Sequence, residues 1–266
     1  MSATTSDVSI TDSGSGPRRA APPPAPPELP PVQAISKPEK QALPNWALKV
    51  TMAITGTIWA TYLVIHLFGN LKIYTGAEHF NEYAAWLRHV FEPFFPYQGV
   101  LWILRVVLIT ALTSHVVSAA ILWTRGRRAR GPFKAKRTSA RSFSATMMPI
   151  TGVLILAFVI FHVLDLTIGW QPFATEGYLE HTTTTSSAYQ NLVASFSRPW
   201  SAVIYIGMMV LLAVHIAHGA LTAAFDMGAM GRRVRAVITA IGALIAAAVL
   251  LGNASIPISV LAGWLS

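Results

Sequence analysis

The sequence has no cysteine in 266 residues. That excludes a disulfide, thiol redox chemistry and a thiolate of its own for an iron–sulfur cluster. Charge is scarce too: 12% of the residues are Asp, Glu, Lys or Arg, where an ordinary soluble domain carries about 25%. The acidic side is the thinner, 11 Asp and Glu against 20 Lys and Arg, for a formal net charge of +9. A basic chain can signal nucleic acid, but these basic residues are grouped in the connections between apolar runs. That distribution reads as positive-inside topology, with no nucleic-acid partner. With 53% hydrophobic residues and a mean hydropathy of +0.50, the expected class is an all-α integral membrane protein.

The first 45 residues lack an apolar stretch of the kind a secretory signal needs. They are rich in Ser, Thr, Pro and Ala, with PPPAPPELPP at Pro22 to Pro31. Such a segment cannot bury enough apolar surface to fold, and its prolines favour extended backbone. The expectation is a disordered cytoplasmic tail over 1–45 and a membrane domain over 46–266.

Five apolar runs follow, at about 46–71, 99–124, 147–169, 200–225 and 236–264. Each is long enough for a transmembrane helix, which needs about 20 mostly apolar residues. Between the first two, at about 78–95, Phe80, Tyr83, Leu87, Val90, Phe91 and Phe94 recur at helical spacing opposite Glu78, Asn81, Glu82, Arg88 and Glu92. This predicts an amphipathic helix lying in the interface. The connection RGRRARGPFKAKRTSAR, from Arg125 to Arg141, has eight basic residues and no acidic one, so it is expected to stay in the cytoplasm. The turn before the fifth run, with Arg232, Arg233 and Arg235, agrees. The N-terminus is then inside and the C-terminus outside. Residues 170–198 read as a polar, Thr-rich outer connection, and Pro257 as a possible kink in the fifth span.

Four spans carry histidine. Thr55-Gly56 precedes His66 with nine residues between, and Thr151-Gly152 precedes His162 in the same way. The second and fourth spans hold His115 and His215, and the fifth holds none. The spans thus read as a four-helix bundle with a weak two-fold internal repeat and one added helix. At about 1.5 Å per residue, His66 and His162 lie roughly 28 and 22 Å from the inner ends of their helices. By the same rise His115 and His215 lie about 12 and 15 Å from theirs. The four imidazoles therefore sort into an outer pair, His66 with His162, and an inner pair, His115 with His215. Ionisable groups inside a membrane are costly and mark function. Two facing imidazoles on different helices suit the axial positions of a b-type haem, so two haems are expected. Another histidine-ligated redox centre, such as a [2Fe–2S] cluster with further ligands from elsewhere in the chain or from a partner, is the alternative. His218 reads as an indirect partner of that site or as a replacement ligand for His215. His79, His89 and His181 lie in connections and read as solvated.

HLFGNLKIYTGAEHFNEYAAWLR after the first span, TGVLILAFVIFH in the third and VHIAHGAL in the fourth resemble a known family. It is the cytochrome b558-type membrane anchor of succinate dehydrogenase and fumarate reductase (respiratory complex II), in an actinobacterial-like form. The resemblance covers about 48–262. It implies that His66, His115, His162 and His215 are axial haem ligands. It also implies docking of a flavoprotein and an iron–sulfur protein on the cytoplasmic face of a bacterial plasma membrane. Electrons from succinate would pass to a quinone, menaquinone by the resemblance, and the whole complex could form a homo-oligomer. One position departs from the family: some dihaem fumarate reductases carry an acidic residue two positions before the fourth-span histidine, where this chain has Ala213.

A quinone needs an apolar slot with a few polar groups for its carbonyls. The candidates are Asp165, Arg105, Arg88, His89 and Glu82, with Asp165 and Arg105 also able to pair with each other. Two other readings stand beside this one. In the first, the chain is a structural anchor without a redox cofactor. In the second, it is a transporter with a histidine proton relay, a class that favours helices broken at mid-membrane.

Overall fold

The computed structural model describes residues 43–130, 140–229 and 231–266. The tail predicted over 1–45 and the middle of the basic connection fall largely outside the described residues. Seven helices follow in order: α1 (Asn45–Leu71), α2 (Ala77–His89), α3 (Gly99–Arg130), α4 (Ala140–His162), α5 (Ala188–Phe196), α6 (Pro199–Asp226) and α7 (Arg232–Leu261). A 3-10 turn, Lys72–Thr75, extends α1, and a π-helical turn, Val163–Ile168, extends α4. There is no strand among the described residues.

The protein is an all-α membrane protein. Among the described residues five stretches are long and apolar enough to cross a bilayer: Asn45–Thr75, Gly99–Ala129, Thr146–Ile168, Pro199–Asp226 and Arg232–Leu261. They are helical because a chain in hydrocarbon has no water for its backbone amides and must satisfy them internally. The boundaries follow local chemistry. Pro199 opens α6 at a position where its missing N–H costs nothing. Pro149 and Pro257 sit inside α4 and α7, which continue through them.

α6 packs most extensively on α7, and α1 packs on α3, α6 and α7, whereas α4 leans on α6 and scarcely touches α3. Small residues set the closest approaches. A Cβ on Gly242 would stand 2.5 Å from the Ala220 methyl, and one on Gly252 would stand 2.5 Å from Leu67. α2 and α5 close one end of the bundle, with Ile73, Phe80, Tyr189, Leu192, Phe196, Tyr205, Ile256 and Val260 forming an apolar core beneath them. We call this the capped end. The opposite, basic end holds the arginines at the end of α3 and the start of α7.

Four features differ from the sequence reading. The amphipathic helix stops at His89 rather than near 95: Phe91 takes a left-handed φ of 64°, and Pro93 and Pro96 offer no N–H to a continuing helix. The connection 170–198 is not all loop, because Tyr189, Leu192 and Phe196 are spaced for one helical face and bury it as α5. α3 runs to Arg130, six residues past the expected end at 124. Arg125 there donates at 2.7 Å to both the Leu43 carbonyl and the Asn45 side chain, tying the helix end to the start of α1. α7 ends at Leu261, three residues short of 264.

Candidate functional site

The two histidines nearest the capped end meet. His66 on α1 and His162 on α4 have ring centres 5.9 Å apart and planes at 83°. Two imidazoles binding one metal from opposite sides, with metal–nitrogen bonds of about 2 Å, place their ring centres roughly 6 Å apart. Tyr62, one turn before His66, stacks on it at 5.3 Å and 16°.

The two histidines nearer the basic end are oriented from the neighbouring helix. His115 Nδ1 lies 3.1 Å from the Thr55 hydroxyl, and His215 Nδ1 lies 3.1 Å from the Thr151 hydroxyl. Each threonine has one hydrogen, and each gives it to a carbonyl one turn back: Thr55 to Thr51 at 2.6 Å, Thr151 to Met147 and Met148 at 3.1 Å. With its hydrogen on that carbonyl the hydroxyl accepts from the ring, the arrangement that puts the imidazole proton on Nδ1 and leaves the Nε2 lone pair for a metal. The glycine after each threonine makes room, since a Cβ on Gly56 would stand 3.4 Å from the His115 ring and one on Gly152 3.7 Å from the His215 ring. The repeated Thr-Gly pairs thus serve the histidine across the helix interface rather than the one farther along their own helix. Among the described residues the rings of His115 and His215 are not in contact with each other. His218 is half-buried one turn beyond His215.

His162 has a third kind of support. Its Nδ1 lies 3.4 Å from the Tyr205 hydroxyl, and that hydroxyl donates to Asp165 at 3.1 Å. Asp165 is 1% exposed and is not a partner of Arg105. It pairs instead with Arg198 at 2.7 Å and accepts from Ser195 at 2.6 Å. Both carboxylate oxygens are engaged, one by Arg198 and the other by Ser195 and Tyr205.

The remaining quinone candidates have partners of their own. Arg105 donates to Gln98 at 3.2 Å and covers the Trp102 ring. Arg88 donates to the Ala84 carbonyl and reaches Ser186 at 3.5 Å. His89 bridges Glu92 at 3.0 Å and the Thr183 carbonyl at 2.9 Å, which raises its pKa, the Glu92 bond first. Glu82 is exposed and faces His79 at 3.5 Å. These bonds tie the side chains into the capped end.

Do these residues suit a haem? One buried side-chain polar atom lacks a hydrogen bond among the described residues, Nε1 of Trp59. It sits on α1 between Thr55 and His66, at the depth between the two histidine levels. An orphaned buried donor costs about 1–3 kcal/mol, and an acceptor bound between the levels would satisfy it. Among the described residues no three or more His, Asp or Glu side chains gather to bind a metal. Two imidazoles suffice for a macrocycle that brings its own four nitrogens, and His66 and His162 have the spacing for one. A [2Fe–2S] cluster would need ligands beyond these. At the capped end the donor set fits haem.

Compared with known proteins, the chain matches no family model, no curated protein and no solved structure. Its function is therefore argued from these residues.

Proposed function

We propose that this chain is the membrane anchor and electron-transfer subunit of a succinate:quinone oxidoreductase. The observation that carries the reading is the His66–His162 contact, 5.9 Å between rings standing almost perpendicular on two different helices. His66 and His162 would hold one haem b and His115 and His215 a second. A haem held by two imidazoles supplies a one-electron carrier with no open position for a further ligand. The chain's own part is to fix the rings: Thr55 and Thr151 set the Nδ1–H form of His115 and His215, and Tyr62 holds the His66 plane. Asn70 and Asn253 bond at 2.9 Å and keep α7 against α1 near the capped-end pair.

The exposed arginines Arg232 and Arg233, with Arg235, Arg125 and Arg127 beside them at the ends of α7 and α3, support a cytoplasmic basic end in a bacterial plasma membrane. There the flavoprotein and iron–sulfur partners would dock. Quinone, menaquinone by the resemblance, would be reduced at the membrane part, and Arg105 and Arg88 remain its polar candidates.

The test is a haem-to-protein ratio and a reduced-minus-oxidised visible spectrum on the purified complex. About two haems per chain are expected, falling to about one in His66→Ala and in His115→Ala. A ratio near zero in the unmutated protein leaves a structural anchor. Absence of the two soluble partners from the purified complex removes the succinate assignment while sparing the haem.

A further inference from the structure

The two histidine levels are not built alike. At the basic end, each ring's Nδ1–H faces a threonine hydroxyl whose own hydrogen goes to a backbone carbonyl. The hydroxyl behind each of those two rings is neutral. Behind His162 stands a carboxylate, ion-paired with Arg198 at 2.7 Å. The chain of atoms runs from His162 Nδ1 to the Tyr205 oxygen at 3.4 Å and from the Tyr205 hydroxyl to Asp165 Oδ2 at 3.1 Å. An ionised carboxylate only accepts, so the Tyr205 hydrogen points at Asp165 and the phenol oxygen is left to accept from His162.

The π-helical turn makes this possible. It starts one residue after His162, at Val163. Asp165, three residues past the ligand, lies in that turn and is fully enclosed with the α5 and α6 side chains Ser195 and Tyr205 and with Arg198 between those helices. Irregular turns of this kind recur at functional sites. Hydrogen bonds in such a chain polarise one another, so a phenol bonded to an anion is a better acceptor than a free one. Groups that bond the far nitrogen of a metal-binding imidazole fix its tautomer and raise its basicity.

We propose that Tyr205 and Asp165 are positioning residues. They hold His162 as the Nδ1–H tautomer and raise its basicity. Resting on the haem reading, this lowers the reduction potential of the capped-end centre below what it would have without them, because an electron-rich ligand favours the oxidised metal.

The experiment compares Tyr205→Phe with the unmutated protein. The substitution removes one oxygen, keeps the ring packed on Phe196 at 4.7 Å, and leaves Asp165, Arg198 and Ser195 bonded to one another. Asp165→Asn is the second variant, but it strands the Arg198 charge and risks the fold. The first readout is the ¹⁵N NMR spectrum of the histidine-labelled full chain, with His162 assigned by its loss in His162→Ala. It needs no metal. The Nδ1–H form is expected in the unmutated protein and a tautomer mixture in Tyr205→Phe. The second readout is a spectroelectrochemical titration of the complex. Tyr205→Phe is expected to raise the potential of one centre only, by about a tenfold change in its oxidised-to-reduced ratio, or about 59 mV for one electron. An unchanged His162 tautomer together with an unchanged potential would overturn the proposal. If the unmutated complex holds no haem, the functional reading fails separately, and the tautomer result alone decides whether Tyr205 positions His162.

Discussion

The Thr55 hydroxyl on α1 holds the His115 ring on α3 at 3.1 Å, and Thr151 repeats the contact with His215. Substituting valine removes the acceptor while keeping the shape. Each Thr→Val change is expected to weaken haem binding at its own level by about 10–100-fold, the usual cost of losing a partner behind a metal ligand. Thr→Ser at the same position should restore it. Retention of haem against a competing apo-haem protein measures this. Equal retention in all variants would show that the hydroxyls do not orient the rings.

Much of this was legible in the residues. Five apolar runs marked five spans, and a constant rise per residue sorted the four histidines by depth. The Thr-Gly repeat was visible as well, but its meaning lay across an antiparallel interface that linear spacing does not display. Arg198 and Tyr205 were hidden for a different reason. A basic residue at a span edge reads as a topology signal, and a tyrosine inside an apolar run reads as core. Asp165 therefore drew the wrong partner, Arg105, from the same half of the membrane. α5 was obscured because the Thr-rich run before it dominates the composition of 170–198, although Tyr189, Leu192 and Phe196 already carried a helical stripe.

The buried pair makes an asymmetric stability prediction. The Asp165 side chain is fully enclosed, while Arg198 keeps a fifth of its surface exposed and has the Phe173 carbonyl as a further acceptor at 2.8 Å. Arg198→Ala strands the enclosed carboxylate, so it should cost about 3–5 kcal/mol. Asp165→Asn should cost less, since the guanidinium it strands can still reach water. Unfolding in detergent, followed by helix content, measures both. Equal losses would mean that Asp165 is not the more deeply committed partner.

Helix contact between α6 and α7 depends on Gly242. Without a hydrophobic force to drive helices together in lipid, close approach of small residues does the work. Gly242→Ala would press its methyl against the Ala220 methyl at 2.5 Å, an overpacking expected to cost about 1–3 kcal/mol. Ala220→Gly on the same chain should recover most of that. A double variant as unstable as the single one would show that the cost arises elsewhere.

The capped end should respond to acid through His181. Its pKa is pushed down to about 4, by burial first and then by the Arg88 guanidinium. The neutral ring accepts the Ser187 N–H at 3.2 Å, just before α5 begins, and protonation removes that acceptor. An unfolded histidine titrates near 6.5. Between about pH 4 and 6.5 the unfolded connection therefore binds more protons than the folded one, and its stability is lost as the pH falls through that window. His89 acts in the opposite sense: its pKa is raised by Glu92 and the Thr183 carbonyl, so its contribution is complete below about 6.5 and fades as the pH rises. Hydrogen exchange of the amides at 182–190, corrected for intrinsic rate, should show protection falling from about pH 7 to about pH 4.5. His181→Asn supplies an acceptor that does not titrate and should abolish the acid loss. Protection that falls just as far in that variant would place the titrating group somewhere other than His181.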